Sequence, residues 1–142
     1  MVTRITVTCL ALMLVFVALG GAFQTTIKTV PPNPTDPTSG KAMFMEYCAV
    51  CHGQSGKGDG PAAPALKKKP ADLTQLAAHN AGKFPDTRVA RYIQGEDAIS
   101  AHGSREMPVW GDVFKGMSTN RDVTVMRVAN LTRYVESLQA TK

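Results

Sequence analysis

The sequence predicts an all-α domain built from three to four helices. Apolar residues recur at helical spacing in separate stretches beyond residue 38, and residues suited to start or stop a helix flank them. No stretch alternates apolar and polar side chains as a half-buried strand would. The end of the first helical stretch carries a Cys48-x-x-Cys51-His52 run, the densest chemistry in the chain. At 142 residues the sequence suffices for one domain, and no internal repeat divides it.

The chain opens on a segment outside that domain. Arg4 precedes an apolar run from Ile5 to Leu19, interrupted mildly by Thr6, Thr8 and Cys9, and Gly20-Gly21-Ala22 follows it. Basic, apolar and small residues in that order describe a secretory signal peptide over residues 1–22, with cleavage after Ala22. The run is a little shorter than the roughly 20 apolar residues of a transmembrane helix, and the alternative is an uncleaved anchor. Residues 23–38 hold Pro31, Pro32, Pro34 and Pro37 among Thr, Asn and Asp. With so little apolar surface to bury, the stretch is expected to be an extended spacer, or a tether if the anchor is kept. The folded domain is expected over residues 39–142.

Each helix has its own signals. The first is expected from Ser39 or Gly40 to about Val50, with Ser39 as N-cap and Met43, Phe44 and Tyr47 on one face. A short second helix follows Pro70, capped by Asp72, with Leu73, Leu76 and Ala77 inward. A third starts near Thr87, buries Val89, Tyr92 and Ile93, and stops at Gly95, where a left-handed residue suits glycine. The last runs from about Asn120 to Gln139 along a stripe of Val128, Leu131, Tyr134, Val135 and Leu138.

Cys48, Cys51 and His52 together read as a covalent c-type haem attachment site. Two thiols three residues apart can form thioethers to the two porphyrin vinyl groups, and the adjoining histidine then lies under the iron as an axial ligand. Zinc would require four tetrahedral ligands, and beyond residue 22 only His79 and His102 could complete such a set. A thioredoxin-like dithiol would want a βαβ setting, which the sequence lacks. A secreted disulfide framework usually has more cysteines than the three here. Export fits the haem reading, because removal of Cys9 leaves only the two motif thiols.

Six-coordinate iron needs a ligand opposite His52, and methionine sulfur there raises the reduction potential. Met43 and Met45 stand too close before Cys48, and Met126 falls in the last helix as a packing residue. Met107 is assigned, because Pro108 forces it out of the helical region into an extended segment that can cross the haem face. Met117 is its rival, and His102 is a further alternative that would lower the potential. Trp110 is expected either to donate its indole N–H to a haem propionate or to pack in the core. His79 is expected at the surface.

These residues resemble the class I c-type cytochromes, small exported bacterial haem proteins with an all-α cytochrome c fold around one covalently attached haem. The resemblance spans about residues 39–139. It rests on Gly40 and Phe44, Cys48-x-x-Cys51-His52-Gly53, the turn Gly56-Lys57-Gly58-Asp59-Gly60, Pro64-Ala65-Leu66, Met107-Pro108 and Leu131-x-x-Tyr134-Val135. It implies a close crossing of first and last helices with Gly40 facing Tyr134. It also implies the Pro64 carbonyl as acceptor for the His52 ring, and supports Met107 as the sixth ligand.

The function implied is electron transfer by one haem c with its iron, in the periplasm, with no catalysis of its own. Alternatives are a membrane-tethered subunit of a larger redox complex, or an open-iron sensor or peroxidase. The formal charge is +5, densest at Lys67-Lys68-Lys69. Such a cluster serves solubility or steers docking to an acidic partner protein. No recognisable nucleic-acid motif accompanies it.

Overall fold

The computed structural model describes residues 32–96 and 107–140. The expected signal peptide, the first part of the spacer and His102 lie outside the described residues. Among the described residues the secondary structure is entirely helical, and no helix is long and apolar enough to cross a membrane.

The first helical run starts where the Ser39 hydroxyl accepts a hydrogen bond from the Ala42 N–H at 3.2 Å. It comprises α1 (Gly40–Met43), a π-turn (Phe44–Cys48) and α2 (Ala49–His52). The sequence predicted an uninterrupted α-helix ending near Val50. Instead the Ala49 N–H reaches back five residues to the Phe44 carbonyl, which widens the middle and carries the helix on to His52. A π-turn inserts one extra residue and is found most often at functional sites. The expected inward face is correct: Met43, Phe44 and Tyr47 are all buried.

Beyond His52 the chain runs through tight turns and short 3-10 segments, including Leu73–Gln75 and Ala78–Asn80. The Asp72 carboxylate accepts from the Thr74 N–H as a cap, and Leu73, Leu76 and Ala77 pack on the core as expected. Helix α3 (Asp86–Gln94) stops at Gly95, whose φ of 82° is left-handed. Ile93 is buried and Val89 partly so, but Tyr92 is exposed. The expectation of a buried Tyr92 is corrected, because it faces the cavity described below. Helix α4 (Trp110–Met117) was not expected. Helix α5 (Arg121–Ser137) begins where the Asn120 side chain accepts from the Asp122 N–H at 2.8 Å.

Helix α1 crosses α5, and α3 and α4 both pack on α5. A Cβ on Gly40 would run into the Asn130 backbone carbonyl and lie 2.9 Å from the Tyr134 Cβ. Only glycine permits that approach, so the expected juxtaposition of Gly40 and Tyr134 is present. One turn on, the Phe44 and Tyr134 rings stand 5.2 Å apart. Phe44, Phe114, Met43 and Leu131 are the largest fully buried side chains. Burial of each contributes about 2 kcal/mol.

The expectation of a loose spacer through residue 38 is corrected for its last part, residues 33–38. Proline-rich backbone cannot pair its own carbonyls in a helix or ladder, and here side chains of the helices take them up. The Tyr47 hydroxyl donates to the Asn33 carbonyl at 2.7 Å, the Arg127 guanidinium to the Thr35 carbonyl at 2.8 Å, and the Asn130 amide to the Pro37 carbonyl at 2.9 Å.

Candidate haem site

A cavity of about 560 Å³ opens between the first helical run, the 66–80 loops, α3 and the segment leading into α4. Its size is within the range of cofactor and ligand sites. Cys48, Cys51 and His52 line it from the end of the first run, and Met107 lines it from the other end of the sequence. The interior is apolar, with Phe44, Leu131 and Val135 at the base and Val89, Tyr92 and Ile93 along α3. Lys68, Lys69, His79, Asn80 and Arg88 make its polar rim. His79, expected at the surface, sits on that rim.

His52 is oriented by the backbone. Its Nδ1 lies 3.0 Å from the Ala71 carbonyl oxygen. A carbonyl only accepts, so Nδ1 carries the proton and Nε2 keeps its lone pair for a metal. Burial holds the His52 pKa below its ordinary value, against the opposing pull of the Ala71 hydrogen bond. A neutral imidazole is the form that binds iron.

The acceptor is Ala71, which corrects the expectation of Pro64. Pro64 lies in the 3-10 segment Ala63–Ala65, and Leu66, not Pro64, reaches the cavity. The Gly58 backbone has φ 74°, and a Cβ there would collide with the Pro70 carbonyl. Without a Cβ at Gly58, residues 70 and 71 can lie against the turn following His52, where the Ala71 oxygen meets the ring.

Cys48 and Cys51 are free thiols. Burial, with a smaller effect from Cys51, pushes the Cys48 thiol up to about 12. Zinc binding and dithiol exchange both use thiolates, favoured by a lowered pKa, and this environment does the reverse. Among the described residues no cluster of three His, Cys, Asp or Glu side chains could hold a metal ion. Two thiols and a neutral imidazole on the wall of one apolar cavity fit a covalently attached iron porphyrin.

The other expected residues separate cleanly. Met107 lines the cavity and is 37% exposed, while Met117 packs against the core at the end of α4. Met43 is fully buried under the first run, and Met45 borders a different depression on the outer side of the attachment helix. Trp110 lines the cavity and belongs to an aromatic cluster, 5.1 Å from the Tyr47 ring and 5.9 Å from that of Phe114. The structure supports its packing role.

Residues 37–139 match the protein-family model described as Cytochrome c. The chain belongs to the cytochrome c family. No match is found among curated proteins or among solved structures. As a cytochrome c it carries covalently bound haem c with its iron, and its chemistry is haem-based electron transfer. Cys48, Cys51 and His52 fit the Cys-x-x-Cys-His attachment motif of such a cytochrome.

Sequence reasoning missed Ala71, Tyr47 as a cavity wall and Arg127. Ala71 acts through its backbone, which carries no signature in residue type. Tyr47 was assigned inward, but its hydroxyl partners could not be read from spacing. Arg127 is 5% exposed on α5, and a basic residue on a helix reads by default as a solvated one.

Proposed function

We propose that this cytochrome is an exported single-electron carrier whose iron is ligated by His52 and Met107. The observation that carries the reading is that both side chains line one cavity, although 55 positions separate them in sequence. Haem c supplies a one-electron couple between ferric and ferrous iron. The chain's residues set how that couple behaves. The Ala71 carbonyl fixes the His52 ring and increases its basicity. Phe44, Ile93, Leu131 and Val135 keep water from the cavity, which favours the less charged ferrous state. Were His52 and Met107 both to hold the iron, neither side would be open to a substrate, and the haem would supply outer-sphere electron transfer.

Lys68 and Lys69 stand at the rim of the cavity, which supports docking of an acidic redox partner there. Steering of this kind weakens as salt screens it. Residues 1–22, acting as a signal peptide, would deliver the domain to the periplasm. A retained anchor would make it a tethered subunit instead, a reading distinguished by the mass of the mature N-terminus.

The test of the ligand pair is the absorption spectrum of the ferric protein together with carbon monoxide binding to the ferrous form. Met–iron ligation predicts the weak far-red charge-transfer band and slow, poor carbon monoxide uptake. An absent band with rapid uptake rejects Met107 as ligand and favours an open iron.

A further inference from the structure

Arg127 presents an anomaly. It is 5% exposed, lies in no ion pair within 4 Å among the described residues although the Asp36 carboxylate of the entry segment feels its charge, and its Nε has no hydrogen-bond partner there. Burying a guanidinium is costly unless its contacts compensate. Its contacts are all on the entry segment and the aromatic cluster. One terminal nitrogen donates to the Thr35 carbonyl at 2.8 Å and the other to the Thr35 hydroxyl at 3.1 Å. The guanidinium also lies 5.8 Å over the Phe114 ring.

The hydrogen bonds beyond Thr35 have a determined direction. The Tyr47 hydroxyl stands 2.9 Å from the Thr35 hydroxyl and 2.7 Å from the Asn33 carbonyl. A carbonyl only accepts, so the Tyr47 proton goes to Asn33. The Tyr47 oxygen is then the acceptor from Thr35, whose own oxygen accepts from Arg127. A single ordered chain results, from Arg127 to Thr35 to Tyr47 to Asn33. Each bond polarises the next, which strengthens and orients the whole. At its middle is Tyr47, a wall of the cavity, whose ring is 5.1 Å from Trp110 and 5.7 Å from Phe114.

We infer that residues 33–37 act as a latch, and that Arg127 and Thr35 are positioning residues that seat Tyr47 against the haem and so set its reduction potential. The inference rests on the haem reading of the cavity. The latch joins the segment before the domain to the cavity wall, so the last residues of the spacer belong to the redox site rather than to the tether. Loosening it lets the Tyr47–Trp110 wall relax and water approach the cofactor, which favours the charged ferric state.

The test uses full-chain, haem-loaded protein carrying Tyr47→Phe, Arg127→Met or Arg127→Lys, with Arg121→Gln at the exposed start of α5 as a control. The readouts are midpoint potential and thermal midpoint. Tyr47→Phe keeps the ring and removes the relay. Tyr47→Phe and Arg127→Met are expected to bias the couple toward ferric two- to tenfold, a shift of up to about 59 mV at one electron. Arg127→Lys should recover part of that shift, and Arg121→Gln should leave the potential unchanged. A lowered thermal midpoint with unchanged potential in Tyr47→Phe overturns the inference, because the latch would then be structural only. If Arg127→Met gives no folded protein, the Tyr47→Phe potential decides. Wild-type protein that matures without haem would reject the haem reading itself, an outcome separate from a haem-loaded protein with unmoved potential.

Discussion

Around His52 the backbone holds itself. The Gly58 N–H bonds the His52 carbonyl at 2.8 Å, the Gly60 N–H the Cys51 carbonyl at 3.1 Å, and the Leu73 N–H the Gly56 carbonyl at 2.7 Å. Among the described residues that follow Met107, side-chain packing adds to the backbone bonds that open α4: Val109 fills the space beside Gly95, and Trp110 leans on Tyr47. Met107 itself stays more than a third exposed. The difference follows from what each side must do. Covalent attachment needs thiols and imidazole in a fixed relation before any bond forms, and short-range backbone hydrogen bonds supply it. On the proposed reading, the Met107 thioether needs only to arrive, and packing serves that. The attachment wall should therefore be unforgiving of change and the methionine wall tolerant of it.

The sharpest way to break that contrast is to remove the anchors. Cys48→Ala with Cys51→Ala is expected to abolish covalent attachment, leaving a polypeptide whose mass contains no porphyrin. Next in size is Gly58→Ala. Its left-handed φ and the collision with the Pro70 carbonyl should cost about 3 kcal/mol and lower the thermal midpoint measured by circular dichroism. The matching change on the other wall, Met107→Leu, should cost less than about 1.5 kcal/mol as a volume-conserving swap. It should nevertheless lower the reduction potential and open the ferrous iron to carbon monoxide. A Met107→Leu protein as unstable as Gly58→Ala would erase the distinction between the walls.

The smallest effect concerns the cap that orders the loop behind His52. The Thr74 hydroxyl, then its backbone N–H, hold the Asp72 carboxyl below its ordinary range, with Lys57 and His79 adding to this. A folded-state value depressed in this way gives stability that is complete above the ordinary carboxylate pKa. That stability is lost as pH falls through the depressed one. Asp72→Ala should cost about 1 kcal/mol near neutral pH. Asp72→Asn, which keeps an acceptor, should flatten the acid limb of the stability profile measured by thermal melts.

Local chemistry was legible in the sequence and distant chemistry was not. Ser39, Asp72, Gly95 and Asn120 start or stop their elements as their side chains dictate, because capping is settled within a few residues. Cys48, Cys51 and His52 were legible because fixed spacing suffices for their chemistry. The Gly40–Tyr134 crossing was implied by the resemblance alone. Helix α4 escaped notice because Gly111 and Gly116 dilute its apolar stripe. The His52 acceptor was placed at Pro64 because nothing in residue type marks which carbonyl a folded loop will present. The docking of residues 33–38 depends on donors some 90 positions later, Arg127 and Asn130, beyond the reach of any local pattern.

The π-turn between Phe44 and Cys48 has a consequence for how this chain can change. Successive residues of an α-helix are offset by about 100° around its axis. The extra residue of the π-turn takes up that offset, so one deletion within it would restore α-helical bonding and keep both sulfurs and the imidazole on the cavity face. A deletion in the α-helical part of the run would instead swing them by that angle toward water. Drift in length is thus open at this one turn and closed in the helical residues on either side of it.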